Sequence, residues 1–303
     1  MTGRLPLFDA YLMVDWSANG TPKTGADSIW YAEYRREGRR LVRRALANPP
    51  TRAAACAAVA DRLAALAASG RRVLAGFDFP FGYPAGTAHA LGLDGMPWQD
   101  MWRLLADGIE DAESNANNRF ALGERLNRRI SGGSFPFWGH PPRQARRHLK
   151  PRKPRRHRAG EPAERRLCER RAPRAQPVWK LAYTGSVGSQ ALTGIPRVRQ
   201  LRHDPRLVGV SRIWPFETGL GDEGAAQIVL AEVYPSLFGA DRIEGLPKDA
   251  GQVTAAARGL AHCDWEGRLA GLMAGDPALG EDERIAVESE EAWILGITKG
   301  PAV

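Results

Sequence analysis

Three hydrophobic runs in this chain end on a carboxylate. Tyr11-Leu-Met-Val leads into Asp15, Val73-Leu-Ala-Gly-Phe into Asp78, and Ile228-Val-Leu-Ala into Glu232. An acidic side chain at the exit of a buried strand is costly unless it is paired, hydrogen-bonded or bound to a cation. Three such exits, from position 15 to position 232, imply neighbouring strands that deliver oxygen ligands to one place. Hard oxygen donors without cysteine suit Mg²⁺ or Mn²⁺ rather than zinc, and carboxylate-held divalent cations suit phosphoester chemistry. The rigid Phe79-Pro-Phe-Gly loop after Asp78 could shape a pocket wall. A fourth acid is expected from the Ala-rich helical region 250–274. Asp264 shares a helical face with Ala257, Leu260 and Ala261 and is the first choice; Asp249, beside Lys248, is the alternative. Each acid also has a plain structural use, as a turn cap, a partner for loop amides or a helix N-cap.

An anion needs donors as well. Gly185-Ser-Val-Gly188-Ser189-Gln190 could wrap one with backbone amides, and Lys180 and Arg197 are candidate phosphate clamps nearby. A two-glycine turn is the simpler reading of the same residues. The six histidines have no metal-ligand spacing; His140, in Trp138-Gly-His140-Pro, reads as a structural histidine before a proton carrier. No Gly-x-Ser-x-Gly elbow, Walker loop or Cys-His nucleophile is present.

The chain has 43 Lys/Arg against 34 Asp/Glu, a formal net charge of +9. Residues 143–176 hold 14 of those cations and 3 acids, a local balance of +11, which leaves 29 cations and 31 acids, or −2, elsewhere. One segment therefore carries the basicity. Interrupted by Pro151, Pro154, Pro162 and Pro173, it reads as lacking a core of its own, either gripping a phosphate backbone without reading sequence or lying as a solvated insertion. Nucleic acid is the partner it suggests. Few aromatic residues interleave it, so no stacking platform for single strands is expected there.

The 303 residues can bury a large core, and no apolar run approaches the roughly 18 residues of a membrane span. Met1 to Asp9 is polar, without a signal-peptide core. Cys56, Cys168 and Cys263 lie far apart, which argues against a disulfide framework and for a reducing, cytoplasmic setting.

The elements that must position the acids follow from pattern. Strands are expected at 10–16, 28–35 and 40–46, then a Thr51-capped helix at 52–69, and a strand at 72–78. Helical spacing follows at 97–110 and 113–129, a mixed Gly-containing segment at 178–202, strands at 207–216 and 227–234, helix at 250–274, and a closing apolar stretch at 292–297. Three antiparallel strands followed by alternating helix and strand make an α/β protein with an RNase H-like mixed sheet. Residues 1–303 form a single such domain, with residues 131–225, including the basic segment, as a large helical and loop insertion.

On Val14-Asp15-Trp-Ser-Ala18, Gly76-Phe-Asp78-Phe-Pro80-Phe-Gly82, Glu232-Val-Tyr-Pro235, the helix bearing Asp264 and Glu291-Ala-Trp293-Ile-Leu-Gly296, the chain resembles a domain-of-unknown-function family of predicted nucleases with RNase H-like fold. These pieces cover about a third of the chain. The resemblance implies the fold more firmly than the activity, because nuclease chemistry in that family is itself inferred from fold. The expectation is a phosphodiester hydrolase in which Asp15, Asp78, Glu232 and Asp264 hold two Mg²⁺ or Mn²⁺ ions. The alternatives are a non-catalytic nucleic-acid- or anion-binding accessory protein and a small-molecule phosphoesterase of cofactor metabolism.

Overall fold

The protein is described by a computed structural model covering residues 5–298 apart from 173, 222, 223 and 225. Met1 to Arg4 of the polar start, Pro173 of the basic segment and three residues near the end of the expected insertion lie outside the described residues. The chain is an α/β protein built on a six-stranded mixed sheet. β1 (Ala10–Asp15), β2 (Trp30–Glu37) and β3 (Arg40–Ala47) run antiparallel. α1 (Arg52–Ala68) returns the chain to β4 (Val73–Phe77), which pairs parallel to β1. Thr51 caps α1 by accepting the Ala54 amide at 3.2 Å, and Gly70, at φ +73°, follows its end, where glycine is the least strained residue.

Next come α2 (Thr87–Ala90), α3 (Pro97–Gly108), α4 (Arg119–Ser131), α5 (Leu167–Arg171) and α6 (Val187–Arg202). β5 (Ser211–Ile213) and β6 (Ile228–Glu232) complete the sheet, in the order β3-β2-β1-β4-β6-β5. α7 (Lys248–Trp265) and α8 (Leu269–Met273) follow. The closing apolar stretch is buried but irregular; Leu295 donates its amide to the Glu232 carbonyl at 3.0 Å.

β1 is central and buried on both faces, which is why it reads as a continuous apolar run rather than an alternation. Ala10, Leu12 and Val14 enter one core with residues of α1, α3 and α6. Tyr11 and Met13 enter the other with Val253, Ala257 and Leu260 of α7. The basic segment does not lack a core: Leu167 and Cys168 sit in the second core, and Val178 and Trp179, just beyond the segment, in the first.

Two helices depart from expectation for identifiable reasons. The helix expected from 113 begins at Arg119, because Asn115 adopts φ +68° and is spent on the backbone, accepting from Arg52 N at 2.8 Å and donating to Thr21 O at 3.2 Å. α6 forms despite Gly188, Gly194 and Pro196, because packing overrides propensity. A Cβ at Gly188 would collide with the Val178 carbonyl, and one at Gly194 would strike the Phe79 ring.

Candidate functional site

The parallel pairing of β1 with β4 sets the site. Val14 and Phe77 are register partners, and the Asp78 amide donates to the Val14 carbonyl at 3.0 Å. Asp15 is the last residue of β1 and Asp78 follows the last residue of β4, so the two acids leave the sheet side by side. Their side chains line one cleft of about 460 Å³. Among the described residues neither carboxylate has a hydrogen bond or an ion pair. Burial, then the charges of Glu232 and Asp249, push the Asp78 carboxyl up to about 7. Burial, then Asp78, Asp249 and Asp27, hold Asp15 well above the ordinary carboxylate range. Two adjacent acids that each resist ionisation share the signature of a site awaiting a cation or a proton.

Asp249, the alternative fourth acid, lines the same cleft from the first turn of α7. Its Oδ2 accepts the Asp27 amide at 2.7 Å. Asp264 lies elsewhere, which corrects the first choice. It is 15 residues further along α7, about 22 Å at the helical rise. There it accepts from Leu7 N at 2.8 Å, from Phe8 N at 2.9 Å and from the Tyr11 hydroxyl, at the start of β1 rather than its end. The helical face that buries Asp264 does meet the sheet, but at the wrong end.

Glu232 is near the pair but spent. It is the register partner of Phe77, one residue out of phase with Asp78. Arg166 binds it in a fork, Nη2 to Oε1 at 2.6 Å and Nη1 to Oε2 at 2.8 Å, and Phe81 N donates to Oε2 at 2.9 Å. Arg166 is fully buried; its Nε takes Glu169 at 2.8 Å and Nη1 also reaches the Glu291 carbonyl at 2.9 Å. A carboxylate so satisfied has little left to offer a cation. The four-acid, two-ion arrangement is thus not assembled, and among the described residues no group of three or more His, Cys, Asp or Glu side chains is placed to hold a metal ion. What converges is the pair, with Asp249 lining the same cleft. That fits Mg²⁺ or Mn²⁺ bound in the sparse manner in which one or two carboxylates, substrate oxygens and water complete the shell.

The loop 183–186 and the start of α6 also line the cleft. Gln190 ties α6 to the exit of β1, donating Nε2 to the Trp16 carbonyl at 2.6 Å. Arg52 fixes the same exit loop, donating to Ser17 O at 3.1 Å and Asn19 O at 2.7 Å, while Asp111 neutralises it. Of the expected phosphate contacts, Gly185 lines the cleft in the left-handed region, φ +73°. The other three do not line this cleft. Gly188 donates its amide to Lys180 O at 3.0 Å. Lys180 donates Nζ to Thr184 O at 2.5 Å. Arg197 is ion-paired to Asp111 at 2.8 Å. Phe79 and Phe81 pack into the core beside Phe77 and do not line this cleft, but Phe79 and Pro80 do form part of the wall of a smaller cavity of about 40 Å³ beside Asp78, Arg166 and Glu232. His140 is buried, Nδ1 against Pro141 O at 2.8 Å.

Of the 14 cations in the basic segment, Arg146, Lys153, Arg155, Arg166 and Arg171 have acidic partners. Arg143, Arg147, Lys150, Arg152, Arg156, Arg158, Arg170 and Arg174 are exposed and have no acidic partner among the described residues. No described helix is long and apolar enough to cross a membrane.

Compared with known proteins, the chain matches no family model, and neither a curated protein nor a solved structure matches it. The site is therefore read from its own geometry.

Proposed function

We propose that the chain is a Mg²⁺- or Mn²⁺-dependent phosphodiester hydrolase whose cation is held by Asp15 and Asp78. The observation that carries the reading is that pair: two adjacent half-buried carboxylates at the exits of the central strands, unpartnered among the described residues. A bound divalent cation would supply positive charge to the phosphoryl oxygens and acidify a water molecule. The chain's own part is to hold the two acids in register and keep the exit loop rigid through Arg52 and Gln190. Asp249 has one oxygen held by the Asp27 amide, and its other, without a hydrogen bond among the described residues, is the candidate general base. The strand order, with acids following β1 and β4, supports an RNase H-like arrangement in which β5 is an added edge strand. The eight exposed cations of 143–176 without acidic partners among the described residues support nucleic acid as the substrate class, gripped through its backbone.

The test is hydrolysis of DNA, RNA and bis(p-nitrophenyl) phosphate with and without Mn²⁺. Asp15→Asn and Asp78→Asn should each abolish cation-dependent cleavage while keeping the fold. Full activity in either variant would remove the assignment. Absence of cleavage by the wild type, with unfolding indifferent to Mn²⁺, would leave a non-catalytic binding protein instead.

A further inference from the structure

We infer that Arg119 is the clamp for a substrate oxyanion in this cleft, of the class of a phosphate ester. The inference rests on the hydrolase reading for its ligand class and deepens it; the clamp itself is testable without turnover. Arg119 opens α4 and lines the cavity that Asp15, Asp78 and Asp249 enter from other elements. Its guanidinium is held on three sides without being neutralised. Nε donates to Ser189 Oγ at 3.1 Å, Nη1 donates to Asn117 Oδ1 at 2.8 Å, and the guanidinium carbon lies 4.3 Å from the Phe120 ring centre. Ser189 can only accept there, since its hydroxyl proton goes to the Leu181 carbonyl. Among the described residues no carboxylate is bonded to Arg119.

That pattern departs from the way this chain treats its other sheltered arginines. Arg52, Arg166, Arg171, Arg197 and Arg202 are each paired with a carboxylate, at distances from 2.5 to 2.8 Å. Among the described residues Arg119 keeps Nη2 without a partner, and it shares the cleft with Gly185 and Ser186, whose amides also lack one. A fixed planar fork with spare donors matches a tetrahedral oxyanion better than a point charge does. The acids and Arg119 line one cleft, so a phosphate ester there would meet both a place for a cation and a donor for its free oxygens. Arg119 thus takes the place that the sequence offered to Lys180 and Arg197, both engaged elsewhere.

The experiment is titration of the intact protein with sulfate, a dianion at neutral pH that cannot be hydrolysed, in EDTA and again with Mg²⁺. Binding is read by calorimetry for wild type, Arg119→Gln, Arg119→Lys and the control Arg40→Gln, an exposed residue that lines no part of the cleft. Arg119→Gln should weaken sulfate binding at least tenfold, Arg119→Lys severalfold, and Arg40→Gln not at all. Should Arg119→Gln fail to fold, Arg119→Lys carries the test, because it keeps charge and bulk while losing the fork. Equal binding by wild type and Arg119→Lys in that case, or by wild type and Arg119→Gln otherwise, would overturn the clamp. So would a wild type that binds no sulfate in either buffer. Loss of sulfate binding in the variant, with no phosphodiesterase activity in the wild type, would keep the clamp and remove the hydrolase. Cation-dependent cleavage untouched by Arg119→Gln would remove the clamp and keep the hydrolase.

Discussion

Replacing Asp78 with asparagine should stabilise this protein, and only above mildly acidic pH. In the metal-free native state burial and the charges of Glu232 and Asp249 raise the Asp78 carboxyl from 3.8 to about 7. A raised carboxyl favours the protonated form when folded. Below the unfolded value of about 3.8 both states hold the proton, and the group adds no penalty. Between there and about 7 the native state binds more protons than the unfolded chain, so stability falls as pH rises. Above about 7 both states are ionised and the full penalty stands. The interval is about three pH units, which at ~1.36 kcal/mol each sets an upper limit of about 4 kcal/mol. Water entering the cleft will reduce it. Asp78→Asn keeps the volume and removes the charge, so it should gain up to that amount at about pH 8 and almost nothing at about pH 4. The assay is urea unfolding of both proteins in EDTA across that range. Mn²⁺ in hundredfold excess over its dissociation constant should then raise wild-type stability by about 2.7 kcal/mol and leave the variant nearly unchanged. A variant less stable than wild type at the alkaline end would show that Asp78 has a partner in the fold and would remove the argument for a cation.

Other outcomes follow from the neighbouring groups. Arg166→Met should destabilise by about 3–5 kcal/mol, since Glu232 and Glu169 would be left buried and unneutralised, and Arg166→Met with Glu232→Leu should recover part of the loss in the same urea titration. Asp264→Ala should cost about 1–3 kcal/mol through the orphaned Leu7 and Phe8 amides, yet leave the Mn²⁺-dependent rise in thermal midpoint intact. Exchanging Arg143, Arg147, Arg152, Arg156 and Arg158 for glutamine should leave the unfolding midpoint unchanged and flatten the salt dependence of DNA binding, by about 0.9 in the logarithmic slope for each phosphate no longer neutralised.

The strand-end acids were legible because a carboxylate closing an apolar run needs a reason, and Asp15 and Asp78 do meet. What the sequence did not contain was phase and direction. Glu232 closes its strand as Asp78 does, but pairs one residue out of step, with Phe77. Asp249 and Asp264 occupy opposite ends of one helix; which end faces the cleft depends on α7 running back along β1, a tertiary fact. The basic run hid Arg166 among thirteen similar cations. The local signal was Leu167-Cys168, the apolar pair that interrupts the charge and goes into the core. Arg119 carried no signal beyond opening a helix after an Asn-rich turn. Its meaning comes from what does not bind it, and only the assembled cleft shows that.

A contrast within one molecule supports the functional reading. This chain neutralises buried and half-buried acids readily: Glu33 has Arg35 and Arg62, Asp111 has Arg52 and Arg197, Glu217 has Arg202, Asp276 has Arg171, and Glu232 has Arg166. With 43 cations in the chain, a partner for Asp15 or Asp78 was within reach of the composition. Arg119, which lines the cleft, is instead fastened to Ser189 and Asn117. Acids and an arginine in one cavity, without ion-pair partners among the described residues, both cost stability, and pairing them would relieve both at once. A fold that leaves them unpaired keeps two opposite binding functions available to a third party, and under the proposed function a phosphate ester with its cation would satisfy the two together.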